Sequence, residues 1–137
     1  MKILFICTGN TCSSPMAEGI CNSIYAEKGI IAESAGIYAQ IGTSANQLAI
    51  DACKEMGIDI SAHRATSLIS VINNNYDFYI TMTPQQKDLL IQLKLEPEKI
   101  LVLGKGIDDP YGGTYDDYIR CRNNMDSALK ELINQIT

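Results

Sequence analysis

No apolar run in the 137 residues approaches the roughly 20 residues that a membrane-spanning helix requires, which argues against a bilayer-embedded chain. The opening run Lys2-Ile3-Leu4-Phe5-Ile6 is also too short for the apolar core of a secretory signal. Five cysteines, an odd number at irregular spacing and with no Cys-x-x-Cys pair, predict reduced thiols in a cytoplasm and no disulfide framework. With one histidine, His63, and no clustered ligands, neither a zinc site nor any other metal or cofactor is expected. Positive charge is scarce too. Eleven Lys and Arg stand against sixteen Asp and Glu, a net charge of -5, so neither nucleic acid nor an anionic membrane is an expected partner. Repeats, low-complexity stretches and Pro/Gly/Ser linkers are all missing, and a 46% hydrophobic content suits one compact domain over residues 1–137.

What is present alternates. Residues Lys2 to Cys7 form a run of β formers, and Thr8-Gly9-Asn10-Thr11 reads as a loop. Ser14-Pro15 offers an N-cap followed by proline at the first helical position, with Met16, Ile20 and Ile24 at helical spacing. Ile30 to Ser34 reads as a second strand closed by Ala35-Gly36, and Leu48, Ala52 and Met56 as a helix ending at Gly57. Phe78 to Met82 is a third strand, Thr83-Pro84 opens a helix through Leu93, and Ile100 to Leu103 is a fourth strand. The last helix carries Tyr118, Met125, Leu129, Leu132 and Ile136 on one side. This order predicts an α/β fold: an open parallel four-stranded sheet flanked by helices, doubly wound in the flavodoxin manner. Ligands of such sheets bind beyond the C-terminal strand ends, where Cys7 and its loop would lie.

A thiol that attacks phosphorus must be deprotonated near neutral pH and must share its site with an anion. A helix N-terminus serves both needs, since its partial positive charge and unpaired N–H groups favour a thiolate and bind phosphoryl oxygens. Cys7 precedes such a terminus by one short loop. Each residue there also has a plainer role: Ser14 as a cap, Gly9 as a turn former, Cys7 as packing at a strand end.

Cys7-Thr8-Gly9-Asn10-Thr11-Cys12-Ser13-Ser14-Pro15-Met16-Ala17-Glu18 resembles the phosphate-binding loop of low-molecular-weight protein tyrosine phosphatases. The family pattern is Cys, five residues, Arg, Ser, Pro, and every position agrees except the arginine, where Ser13 stands. The resemblance runs the full length of the chain. It implies a nucleophilic Cys7, a phosphate-binding loop of Thr8, Gly9, Asn10, Thr11, Cys12, Ser13 and Ser14, and supporting hydrogen bonds from Asn10, Ser34 and His63. Asp109-Pro110-Tyr111-Gly112-Gly113 resembles the family's Asp-Pro loop, so Asp109 takes the role of general acid and Tyr111 lines the pocket mouth. Thr11 and Met82-Thr83 are similar to the branch made up of bacterial protein-arginine phosphatases.

The expected partners are a phosphorylated protein substrate, carrying phosphoarginine or phosphotyrosine, and a phosphate or sulfate anion in the loop. Serine cannot replace the bidentate phosphate contact of an arginine, so turnover is expected to be strongly impaired. Two explanations stay open: a pseudo-phosphatase that binds without turnover, or a single recent or deliberate change in a working enzyme. An arsenate reductase is a further alternative, but Cys53 and Cys121 are too far apart in sequence to form that group's short redox pair. Cys12 either fills the loop or forms a reversible disulfide with Cys7.

Overall fold

The computed structural model describes residues 1–137. Four parallel strands, β1 (Lys2–Cys7), β2 (Ile31–Gly36), β3 (Phe78–Thr81) and β4 (Ile100–Val102), lie in the order β2-β1-β3-β4. Five helices complete the chain: α1 (Ser13–Ile24), α2 (Gln47–Lys54), α3 (Leu68–Val71), α4 (Pro84–Gln92) and α5 (Tyr115–Ile136). None of them is long and apolar enough to cross a membrane.

β1 is an interior strand covered on both faces, which is why it reads as an unbroken apolar run. Its alternate residues divide two cores. Ile3, Phe5 and Cys7 join Met16 and Ile20 of α1, Cys53 of α2, and Tyr118, Met125 and Leu129 of α5. Leu4 and Ile6 face the other side, with Leu68 of α3, Leu90 of α4, and Tyr76, Tyr79 and Ile100. Helices thus cover both faces of the sheet, and the carboxyl ends of β1 and β2 meet in register at Cys7 and Gly36, beside Thr81 of β3.

β2 is an edge strand, and α1 seals part of it. The Asn22 side chain donates through Nδ2 to the Ala32 carbonyl and accepts from the Ala32 amide through Oδ1, both at 2.9 Å. Backbone groups that would otherwise face water are therefore paired within the chain.

Several boundaries differ from the sequence reading for identifiable reasons. Helix α1 starts at Ser13, not after a Ser14 cap, and its N-cap Cys12 makes no side-chain capping bond. Pro15 is the third helical residue, where no intrahelical N–H bond is lost. β2 runs on through Ala35-Gly36 because pairing with β1 continues to Cys7. β3 and β4 each stop one residue early, and α2 closes at Lys54 with a turn through Gly57 at φ 75°. Helix α5 begins at Tyr115, three residues ahead of Tyr118, on a reciprocal cap: Asp117 N–H donates to Thr114 Oγ1 at 3.3 Å and Thr114 N–H to Asp117 Oδ2 at 2.8 Å. The four-residue α3 is too short to carry a periodic signal.

Gly36 is fixed by a close approach. A Cβ there would lie 2.7 Å from the Thr8 carbonyl oxygen and 3.0 Å from the Cβ atoms of Ala39 and Asn10. Gly36→Ala is expected to destabilise the protein by about 1–3 kcal/mol through overpacking against the loop after β1, read as a lower midpoint of urea unfolding.

Candidate active site

The loop Thr8 to Cys12 joins β1 to α1 and turns on Asn10, whose backbone is left-handed at φ 58°. Asparagine tolerates this conformation better than most residues. Its side chain is completely buried and makes three hydrogen bonds: Nδ2 donates to Ser14 Oγ at 2.8 Å and to Ser34 Oγ at 2.9 Å, and Oδ1 accepts from the Thr66 amide at 2.8 Å. The Asn10 carbonyl accepts from His63 Nε2 at 2.7 Å, which fixes the tautomer with a proton on Nε2.

The other carbonyls of this turn are also engaged from outside. Ile37 N–H donates to Cys7 O and Tyr38 N–H to Thr8 O, each at 2.9 Å, and Asn46 N–H donates to Thr11 O at 2.8 Å. Asn46 also caps α2 by accepting from Leu48 N–H. The amides of Thr8, Gly9, Thr11 and Cys12, by contrast, meet no acceptor within the chain. With its carbonyls held outward and its amides unengaged at the N-terminus of a 12-residue helix, the loop forms an anion-binding concavity.

Cys7 Sγ occupies that concavity as an acceptor. Asn10 N–H donates to it at 3.1 Å, and Ser14 Oγ lies 2.8 Å away. Since Ser14 Oγ already accepts from Asn10 Nδ2, its own proton is free to point at the sulfur. Of the two roles open to Ser14 in the sequence, the structure therefore selects contact with the thiol over helix capping. The sulfur is held as a thiolate would be.

A cavity of about 330 Å³ opens above the sulfur, lined by Cys7 through Ser13, by Tyr38, Gln40 and Thr43, and by Asp109 and Tyr111. Asp109 and Tyr111 thus reach the loop from about 100 residues away in the chain. Asp109 is anchored by its own turn, with Oδ1 accepting from Tyr111 N–H at 3.0 Å. Ser34 and His63 lie behind the loop as its supports. Cys12 Sγ sits 3.3 Å from the Tyr118 hydroxyl, and all five cysteines are free thiols. Thr83 does not line the cavity: its hydroxyl caps α4, accepting from Gln86 N–H at 3.2 Å. No three His, Cys, Asp or Glu side chains converge to hold a metal ion.

Comparison with known proteins gives this arrangement its family. Residues 2–137 match the family model described as low molecular weight phosphotyrosine protein phosphatase. The chain belongs to that family. A protein-arginine-phosphatase of Bacillus subtilis is 32% identical, with 99% of this chain and 97% of that protein covered. An arsenate reductase of Staphylococcus aureus is 34% identical over 93% of this chain and 92% of its own length. The crystal structure of a low molecular weight protein tyrosine phosphatase from T. tengcongensis superposes with a TM-score of 0.92 at 35% identity, covering 98% and 99% of the two chains.

Several residues of this family member's site escaped the sequence reading. Thr66 contributes only a backbone amide, so its residue type carries no signal. Tyr38, Gln40 and Thr43 come from a loop without periodicity or motif. Glu18 was visible only as part of the motif. Burial raises its carboxyl above the usual range; hydrogen bonding with Ser34 partly offsets this, and the neighbouring Glu33 charge adds to it.

Burial also separates the thiols. It pushes Cys21 and Cys121 up to about 12 and Cys53 up to about 11, and it raises Cys12 despite the Tyr118 contact. Iodoacetamide near pH 7 should therefore label Cys7 first, as mapped by peptide mass analysis; earlier labelling of Cys21, Cys53 or Cys121 would contradict the loop geometry.

His63 is held below its ordinary value of 6.5, chiefly by burial and secondarily by the Arg64 charge, against the opposing pull of the Asn10 carbonyl. The unfolded chain therefore takes up this proton first as pH falls, and stability should drop below about pH 6.5. Glu18 works in the opposite sense, its contribution fading as pH rises above the ordinary glutamate value of 4.5. Comparing urea midpoints of the native protein and His63→Gln across pH 5 to 7.5 isolates the histidine, and the variant should show the flatter profile.

Proposed function

We propose that this protein is a low molecular weight protein phosphatase, a single domain over residues 1–137, acting on phosphorylated side chains of cytoplasmic proteins through a phosphocysteine intermediate. The observation that carries this reading is a hydrogen-bonded Cys7 sulfur beneath unengaged loop amides, with Asp109 in the same cavity.

In the first step the phosphoryl oxygens accept from the loop amides while Cys7 Sγ attacks phosphorus. The S–P bond forms as the P–O bond of phosphotyrosine, or the P–N bond of phosphoarginine, breaks, and the leaving atom takes the proton of a protonated Asp109. In the second step the Asp109 carboxylate removes a proton from water, the water oxygen attacks phosphorus, and Cys7 leaves as thiolate. Ser14 and Asn10 N–H stabilise the sulfur at the start and end of the cycle. Asn10, Ser34 and His63 hold the loop in shape throughout.

Thr11 on the cavity wall and the 32%-identical protein-arginine-phosphatase of Bacillus subtilis favour phosphoarginine over phosphotyrosine. Thr83 no longer adds to this preference, because its cap explains it. Ser13, at the position the family fills with arginine, offers no charged fork for the equatorial oxygens. Its cost to turnover is at least ~10³-fold, by analogy with loss of a preorganised oxyanion donor.

A second reading, arsenate reduction, has the Staphylococcus aureus relative in its favour. The resolving thiols it needs are poorly supplied here, since Cys53 and Cys121 are buried and their thiolates strongly disfavoured. Binding of phosphorylated side chains without turnover is the remaining alternative.

Ser13→Arg is expected to raise kcat/KM by at least ~10³-fold, assayed side by side on phosphoarginine and phosphotyrosine peptides. A burst of leaving group should reveal the phosphocysteine. Adding Asp109→Asn should slow phosphotyrosine cleavage more than cleavage of an activated aryl phosphate, whose leaving group needs less protonation. A Ser13→Arg protein that folds and binds phosphate yet turns over none of these substrates would leave only the binding role.

A further inference from the structure

The proposed reaction gathers negative charge with no cation of the chain to meet it. Cys7 attacks as an anion, and the phosphoryl group bound beside it adds about 1.5 to 2 further charges. None of the eleven Lys and Arg side chains lines the cavity. Arg64, next in sequence to the loop support His63, is engaged with the Ser61 and His63 carbonyls at 3.4 and 2.7 Å. What remains is the dipole of α1, equivalent to roughly half a charge, and the loop amides.

The lining suits one kind of external cation. Ser13 is only 3% exposed yet lines the cavity, and its short side chain carries no charge into it. The nearby polar lining from Thr11, Gln40 and Thr43 is neutral and rich in acceptors. Tyr38 and Tyr111, 81% and 72% exposed, add two aromatic rings to the lining, groups on which a flat cation can stack. A guanidinium matches both features: it is planar, weakly hydrated, able to fork onto phosphoryl oxygens and to stack on aromatic rings. An ammonium is compact and strongly hydrated, and the chain offers no group of His, Cys, Asp or Glu for a metal ion. At about 330 Å³ the cavity reaches the range of small-molecule sites.

We propose that the cavity binds two groups of the substrate at once: a phosphoryl group on the Cys7 loop and, against Ser13, a guanidinium from a separate arginine side chain of the same substrate. The contact is non-covalent; the guanidinium exchanges no proton or electron and serves as counter-charge to the phosphoryl oxygens. This inference rests on the phosphatase reading, and it makes this protein selective for phosphorylated sites with an arginine close by.

Free guanidinium tests it. Native protein and Ser13→Arg are assayed on an aryl phosphate in guanidinium chloride or methylguanidinium chloride at tens of millimolar, far below the molar range of unfolding. Urea and sodium chloride at equal concentration are the controls. Native turnover should rise saturably by at least ~10-fold with either guanidinium salt and with neither control, while Ser13→Arg does not respond. Inorganic phosphate binding, followed by calorimetry, should tighten by at least ~3-fold under the same conditions in native protein alone, a readout independent of turnover. Equal effects of guanidinium and sodium chloride, or no effect on either rate or phosphate binding while Ser13→Arg is active, would overturn the inference and leave the phosphatase reading standing. If Ser13→Arg is also inactive on every substrate, both fall.

Discussion

The shape of the loop after β1, and with it the cavity above Cys7, depends on the hydrogen bonding of one buried amide side chain. Asn10 sits in a left-handed turn and connects the residue that follows the loop on α1, the edge strand β2, and the segment ahead of α3 through Ser14, Ser34 and Thr66. Its own carbonyl receives His63. All four partners belong to segments that the hydrophobic core also positions. The loop shape is thus over-determined: the turn would be costly for a free chain and is stable here because several independently packed elements agree on it.

That agreement controls direction as well as position. Four of the five carbonyls from Cys7 to Thr11, all but that of Gly9, are drawn towards outer partners. A peptide unit is planar, so holding its carbonyl outward aims the next amide inward. The anion site therefore follows from contacts that lie outside it, and it needs no charged side chain to exist. No Lys or Arg side chain joins the backbone amides in lining the cavity, and Ser13 is among its short neutral residues.

The sequence revealed those features that are local. An interior parallel strand needs apolar residues on both faces, so β1 was plain, as were the periodic faces of α1 and α5. The motif from Cys7 to Glu18 and the Asp109-Pro110 turn pointed to segments that the fold brings to one cavity. Long-range partners were a different matter. Thr66 acts through its backbone, 56 residues from Asn10, and no side-chain pattern can announce an amide. Ser14 reads as a cap because serine before proline usually is one, and only the distance to Cys7 decides otherwise. Thr83 carried two readings in the sequence, helix opener and branch marker, and the structure shows the first: it caps α4 and lies outside the cavity. Ala35-Gly36 read as the close of a strand ending at Ser34, whereas both residues pair within it and the missing side chain of Gly36 admits the Thr8 carbonyl.

The pairing of Asn22 with Ala32 bears on how copies of this protein meet one another. An open parallel sheet exposes two flanks to which a stray extended segment can attach by backbone pairing, and such zippering is a common start of precipitation. By filling both hydrogen-bonding groups of Ala32 from within, the amide of Asn22 acts as a stopper near the start of one flank. An incoming strand would first have to dislodge a side chain bonded at both ends. The same edge strand carries Ser34, a hydrogen-bond partner of Asn10, so the stopper also guards a strand on which the loop after β1 rests.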